Sequence, residues 1–381
     1  MSDTNHHYAI FSSLYFPHPG GVEVFTDNLA HKLESQGHQA TIVTMRIDTS
    51  SSYEQLSDGV DVHRLPCKPF FGGRLPWTVH SSEYEKQFDK LMDIGIDRVV
   101  VNTRFYPHSL EGLRLAKAIG APAIVLDHGS DHICFGNAMD PLVEVYEHVI
   151  TKKVIAYRPT FCGISQASVK WLEHFGIDAK DVIPNAIDAK AFRESSSGKD
   201  YRAELGIDPH SQIVSFVGRL APEKGPSILV KVARQMSDLS FVLAGDGTLF
   251  NRLAADKPDN VFLLGSIGRE DLSALMSQSD FFCLPTRSEG FCTSLLEAGA
   301  YGVPFVVPEV GGAFEVAGDS SVTRITKGRS TNEIASALES LVSMSTNDLE
   351  MGRQALRYHV ERDCGWSAVT ASLDRAFLQN V

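Results

Sequence analysis

Short apolar runs rich in β-branched residues alternate with helix-period segments along this chain, and the series is played twice. That rhythm constrains the fold more than any other feature, because strand–helix–strand repeats pack as mainly parallel sheets covered on both faces. The first series predicts strands at Tyr8–Leu14, Ala40–Thr44, Val60–Arg64, Arg98–Val101, Ala123–Leu126 and Thr160–Gly163. Helices are predicted between them at Gly21–Gln36, Tyr84–Met92, His108–Ile119 and Leu142–Ala156. The pattern breaks at Pro184-Asn185-Ala186-Ile187-Asp188, and a polar stretch, Glu194–Asp200, reads as a linker. A second series restarts with Ile213–Val217, Ser240–Ala244, Val261–Leu264, Phe281–Leu284 and Phe305–Val307. At 381 residues the chain exceeds what one core serves. The expected fold class is therefore α/β, with two doubly wound, Rossmann-like domains, residues 1–190 and 191–361, facing across a cleft that holds the ligand.

Composition narrows the partners. The net charge is −12, with 17 Lys and Arg against 23 Asp and Glu up to Lys190, and 18 against 24 beyond it. Neither half is basic, so no nucleic acid partner is expected, and an anionic substrate has to be held by a few local cations and backbone dipoles. No apolar run approaches the ~20 residues that cross a bilayer. The start, Met1 to His7, lacks the basic and apolar regions of a secretory signal. The six cysteines are scattered without a C-x-x-C pair, which suits a reducing compartment, and a cytoplasmic location is expected.

Candidate chemistry falls just after predicted strands. Phe16-Pro17-His18-Pro19-Gly20-Gly21 leads into a helix; Gly20 and Gly21 would let a phosphate reach that helix end, or they merely make the turn. Gly218-Arg219-Leu220 closes a strand and Glu223-Lys224-Gly225 opens the next helix. Arg219 and Lys224 can neutralise a diphosphate leaving group, the alternative being solvated charges paired with Glu223. In the run from Pro285 to Ala298, amides around Gly290, Phe291, Thr293, Ser294 and Leu295 would hold a pyrophosphate. Glu297 would chelate a ribose diol and Glu289 the sugar hydroxyls, since a carboxylate facing phosphate would be repelled. Backbone groups around Gly245 and Ser266–Gly268 would read the base; Gly245 and Gly247 equally suit plain turns.

Glu289 and Glu297, with seven residues between them, following Gly-Arg-Leu and Glu-Lys-Gly, resemble the retaining glycosyltransferases of family GT4 with the GT-B fold. Pro184-Asn185-Ala186-Ile187-Asp188 is similar to that family's P-N-G-V-D segment, with Ala186 in place of glycine. The Gly20-Gly21 loop and Ala244-Gly245-Asp246-Gly247 also fall in family order, so the resemblance covers nearly the whole chain. It implies that Arg219 and Lys224 bind the donor diphosphate, that His128 lies near the donor sugar, and that a last helix, about 362–381, returns to the first domain. Asp131 and His132 follow His128 closely, and Asp127 is a candidate for orienting its ring.

The implied reaction moves a hexosyl-type sugar from a nucleoside diphosphate sugar, UDP favoured and GDP open, to a glycan or lipid-linked acceptor. Retention of configuration is implied by the family alone. No D-x-D motif stands in a plausible loop, so no metal and no further cofactor is expected, and the two cations serve in its place. The first domain would bind the acceptor: Arg104, in Asn102-Thr103-Arg104-Phe105-Tyr106, would meet an anionic group, with Asp131 and His132 beside it. The segment from Pro66 to Trp77 interleaves Lys68 and Arg74 with Phe70, Phe71 and Trp77. It is expected to pack beneath its domain, with peripheral membrane contact as the alternative. A GT-B epimerase or a catalytically silent nucleotide-sugar-binding subunit are the competing functions.

Overall fold

A computed structural model describes residues 5–18, 20–47, 50–70, 73, 75–132, 140–179 and 181–378. The chain divides into two compact units, Met1–Ile183 with Val369–Val381, and Pro184–Ala368. The first unit therefore ends several residues before the expected boundary at residue 190.

The described strands of the first unit are β1 (His7–Phe11), β2 (Gln39–Arg46), β3 (Tyr53–Gln55), β4 (Asp61–Phe70), β5 (Leu75–Thr78), β6 (Arg98–Asn102), β7 (Ala123–Asp127), β8 (Thr160–Gly163) and β9 (Asp181–Val182). They form one sheet in the order β3-β4-β2-β1-β6-β7-β8-β9, with β5 on β4. The second unit holds β10 (Gln212–Val217), β11 (Leu239–Ala244), β12 (Val261–Gly265), β13 (Phe281–Cys283), β14 (Phe305–Pro308) and β15 (Thr323–Thr326). Their order is β12-β11-β10-β13-β14-β15, and all pairs are parallel. Central strands carry helices on both faces, which is why they read as unbroken apolar runs: Tyr8, Ala9, Ile10 and Phe11 are all fully buried.

In each unit the strand order reverses beside the first strand entered, between β1 and β6 and between β10 and β13. Ligands of open α/β sheets bind beyond the carboxyl ends of the strands at such a reversal. The segments that follow β1, β6, β10 and β13 are the ones in which the sequence places most of the candidate residues.

Two features depart from expectation. The segment from Pro66 to Trp77 is in part an antiparallel ribbon, with Lys68 opposite Trp77 and Phe70 opposite Leu75. Phe70 and Trp77 are 48% and 47% exposed, so these two aromatics do not pack beneath the domain; Phe71, Gly72 and Arg74 lie outside the described residues. The polar stretch after Pro184 starts inside a helix, Ala189–Glu194, because Asp188 caps it by accepting from the Ala191 amide at 2.9 Å.

The final helix, Trp366–Leu378, packs in the first unit through its later residues. Asp374 accepts from the Tyr8 hydroxyl at 2.9 Å and from Arg98 Nη1 at 2.6 Å, and Phe377 meets the Tyr8 ring edge-on. No described helix is long and apolar enough to cross a membrane.

Candidate active site

In the second unit, the segments after β10 and β13 are fastened to one another. Glu223 O accepts from the Arg287 amide at 2.8 Å, from Thr286 Oγ1 at 3.3 Å and from Arg329 Nη1 at 3.1 Å. Gly225 completes the fastening. It adopts φ +74°, and a Cβ there would collide with Pro285 O, so only glycine allows this approach. Arg329, which also reaches Pro222 O at 3.4 Å, was not signalled by any sequence motif, because its partners are backbone carbonyls.

Four of the charges at this place form two pairs. Arg219 Nη2 meets Glu223 at 3.1 Å, and both side chains are well exposed. Such a pair is screened by water and contributes at most about 1 kcal/mol, so a phosphate can displace it readily. Lys224 Nζ forms an ion pair with Glu289, and both are largely buried. The residue expected on the phosphate and the one expected on the sugar thus hold each other.

Helix Thr293–Ala300 follows β13 with Cys292 as its N-cap in the left-handed region, φ 70°, and no side chain caps it. The amides of Thr293 and Ser294 head this helix. Leu295 is a correction: its amide donates to Cys292 O at 3.0 Å and is not available to a phosphate. Phe291 is buried, and its carbonyl accepts from Gly312 N at 3.1 Å, while Gly290 O packs on Gly311. Gly218 donates to Ala244 O at 3.0 Å, and a Cβ on Gly245 would strike Gly218 O. The need for glycine at Gly245 is therefore met by the approach of two turns, without a ligand.

Glu297 lies in the second turn of that helix among Leu296, Ala298 and Ala300, which are buried. Burial raises its pKa to about 7, partly offset by the charge of Arg269. A carboxyl whose folded pKa lies above its unfolded value stabilises the fold in its protonated form, so that contribution is present at low pH and is lost as pH rises towards 7. Glu297→Gln is expected to remove that loss. Thermal melting without ligand should show the variant gaining on the wild type by on the order of 1–3 kcal/mol between about pH 5 and 8. Parallel curves would show that Glu297 ionises normally.

In the first unit, His128 follows β7, Asn102 ends β6, and Thr26 stands on helix Gly21–Ser35 after β1. His128 Nε2 lies 2.9 Å from Asn102 Oδ1, and Phe25 meets the ring edge-on at 5.1 Å. Desolvation lowers its pKa to about 3, so the ring is neutral. Asp127, the expected orienting group, points elsewhere: it accepts two bonds from Arg104 Nη1, at 3.0 and 2.9 Å.

That pairing corrects the role expected for Arg104. Its guanidinium is 1% exposed, held by Asp127 and Glu147 and lying 3.9 Å from the Phe175 ring centre. A cation so enclosed cannot meet an acceptor. His132 joins the same network by a 2.8 Å bond between Nδ1 and the other Glu147 oxygen. Asp131 is exposed and accepts from the His132 amide at 2.8 Å. His132, Glu144 and His174 offer ligand atoms within 4.8 Å of one another.

Gly20 and Gly21 also read differently in three dimensions. The Glu23 carboxylate folds back to where a Gly20 Cβ would sit and bonds its own amide, with burial raising its pKa. An end already carrying a carboxyl group suits a hydroxyl better than a phosphate.

Comparison with known proteins agrees with this architecture. A family model described as glycosyltransferase family 4 matches residues 19–191, and one described as glycosyl transferases group 1 matches residues 198–357. The chain is similar to a D-inositol 3-phosphate glycosyltransferase of Pseudarthrobacter chlorophenolicus, 27% identical over 92% of this chain and 88% of that protein. It is also similar to an uncharacterised glycosyltransferase of Methanocaldococcus jannaschii, 24% identical over 88% of each. Among solved structures, sucrose-phosphate synthase from Thermosynechococcus elongatus matches with TM-score 0.76 at 17% identity, covering 98% of this chain and 99% of that one. Anabaena HepE in complex with UDP matches with TM-score 0.72 at 16% identity, covering 99% and 100%. Two family models spanning nearly the whole sequence, over two Rossmann-like units, show that the chain belongs to the GT4-type glycosyltransferases of GT-B fold.

Proposed function

We propose that this glycosyltransferase transfers a hexosyl-type sugar, with retention, from a nucleoside diphosphate sugar to a hydroxyl of a glycan or lipid-linked acceptor, without a divalent metal. The observation that carries the proposal is the fastened pair of segments after β10 and β13, which sets Arg219, Lys224 and an uncapped helix end at one sheet reversal. Two cations and free amides match the two charges of a departing diphosphate. Glu297 suits the ribose diol and Glu289 the transferred sugar. UDP is favoured as the nucleotide, in keeping with its presence in the HepE complex.

The acceptor group is a neutral hydroxyl. Arg104, the cation expected to meet an anionic acceptor, is spent on Asp127 and Glu147, and Glu23 adds a carboxyl beside Gly20. Exposed Phe70, Trp77, Leu142, Val145 and Val149 in the same unit favour an acceptor carried on a lipid.

The test is thermal-shift titration with UDP, GDP and ADP, followed by sugar transfer from the preferred donor with and without EDTA. One nucleoside diphosphate should stabilise the protein, and EDTA should leave the rate unchanged. No shift with any of the three would overturn the donor assignment, and abolition by EDTA, restored by a divalent ion, would overturn metal independence.

A further inference from the structure

The segments after β1, β6 and β7 are joined by a run of hydrogen bonds whose direction can be followed. Thr26 Oγ1 donates its one proton to Val22 O at 2.8 Å, so its lone pairs are left to accept. Asn102 Nδ2 donates to that oxygen at 2.8 Å. The Asn102 carbonyl oxygen is then the atom facing His128 Nε2, and a carbonyl can only accept. Turning the amide round would leave the Thr26 hydroxyl facing Asn102 Oδ1, and it would have to give up Val22 O, one bond fewer in a place where Thr26 and Asn102 are 0% and 2% exposed.

We propose that Thr26 and Asn102 are positioning residues that fix His128 as the Nε2–H tautomer, leaving Nδ1 as a bare hydrogen-bond acceptor for a hydroxyl of the bound sugar. The inference rests on His128 serving the donor sugar, and it adds what the ring does there. His128 takes a hydrogen bond; it neither donates from Nδ1 nor supplies positive charge to the leaving group. That division leaves charge neutralisation to Arg219 and Lys224. The same three residues tie the helix after β1 to the ends of β6 and β7, so an error in the helix register is felt at the imidazole.

The experiment is long-range proton–nitrogen correlation on full-length protein labelled with nitrogen-15 histidine, His128 being identified by its loss in His128→Ala. Nε2 is expected to show the shift of a protonated nitrogen and Nδ1 that of a bare one, unchanged from about pH 6 to 8. Thr26→Val should blend the two tautomers and lower kcat/KM by about tenfold, the size of one neutral hydrogen bond. Asn102→Asp should keep the proton on Nε2, because a carboxylate also accepts. Its charge should also raise the His128 pKa, giving the rate profile a new acid limb that a merely structural role would not produce. A wild-type ring protonated at Nδ1, or a Thr26→Val spectrum identical to wild type, overturns the positioning role, while an inactive His128→Ala would still support the site. Conversely, a fully active His128→Ala with the expected tautomer overturns His128 as a donor-site group.

Discussion

Lys224→Ala is expected to lower kcat by about 10²–10³-fold, the usual cost of one preorganised electrostatic contact to developing charge. The donor KM should change far less, because the leaving diphosphate gains charge as the glycosidic bond breaks and the lysine matters most at that moment. Lys224 is expected to weigh more here than Arg219. Lys224 is largely buried and held on Glu289, whereas Arg219 stands in water against Glu223. Glu289→Gln should spare turnover more than Lys224→Ala does, since it leaves the ammonium in place. Steady-state kinetics of the two variants, with circular dichroism to establish folding, decides the matter. Turnover of Lys224→Ala within about threefold of wild type would remove the lysine from the chemistry.

Arg104→Met should unfold the first unit at far lower temperature or denaturant than wild type, at a cost of about 3–5 kcal/mol. The substitution leaves Asp127 and Glu147, at 0% and 1% exposure, without the guanidinium that now holds both. Asp127 already has a raised pKa, because burial outweighs the neighbouring charge. Loss of that charge would push it further up. Adding Asp127→Asn to Arg104→Met should recover part of the stability, which separates a buried charge effect from lost packing. Chemical denaturation followed by tryptophan fluorescence measures both. Wild-type melting combined with a raised acceptor KM would instead return Arg104 to the acceptor site.

The doubly wound architecture was legible because strands covered on both faces must be continuously apolar, and the helices between them carry a 3.6-residue period. The edge pieces β3, β5 and β9 were not legible. They are two to four residues long and contain Glu54, Gln55, Pro76 and Asp181, so no apolar run marks them. Arg219, Lys224, Glu289 and Glu297 of the second unit could be picked out as candidates from the sequence, since they stand in or after glycine-containing turns that follow strands, whereas Arg329 could not. What each charge touches could not. Arg104 and Asp127 are separated by a whole helix and meet only because β6 and β7 are neighbours. Asn102 and Thr26 carry no motif, and their importance lies in which atom faces which, a matter of side-chain direction that spacing does not encode.

The last helix carries a consequence for taking the protein apart. Two peptide links, after Ile183 and after Ala368, join the halves, so the first unit is built from two separate stretches of chain and no single stop codon isolates it, whereas the second is continuous. A fragment ending at Ile183 would strand Arg98, its side chain 11% exposed, without the carboxylate of Asp374. Expression of the N-terminal half alone therefore calls for grafting the thirteen residues Val369–Val381 back onto it.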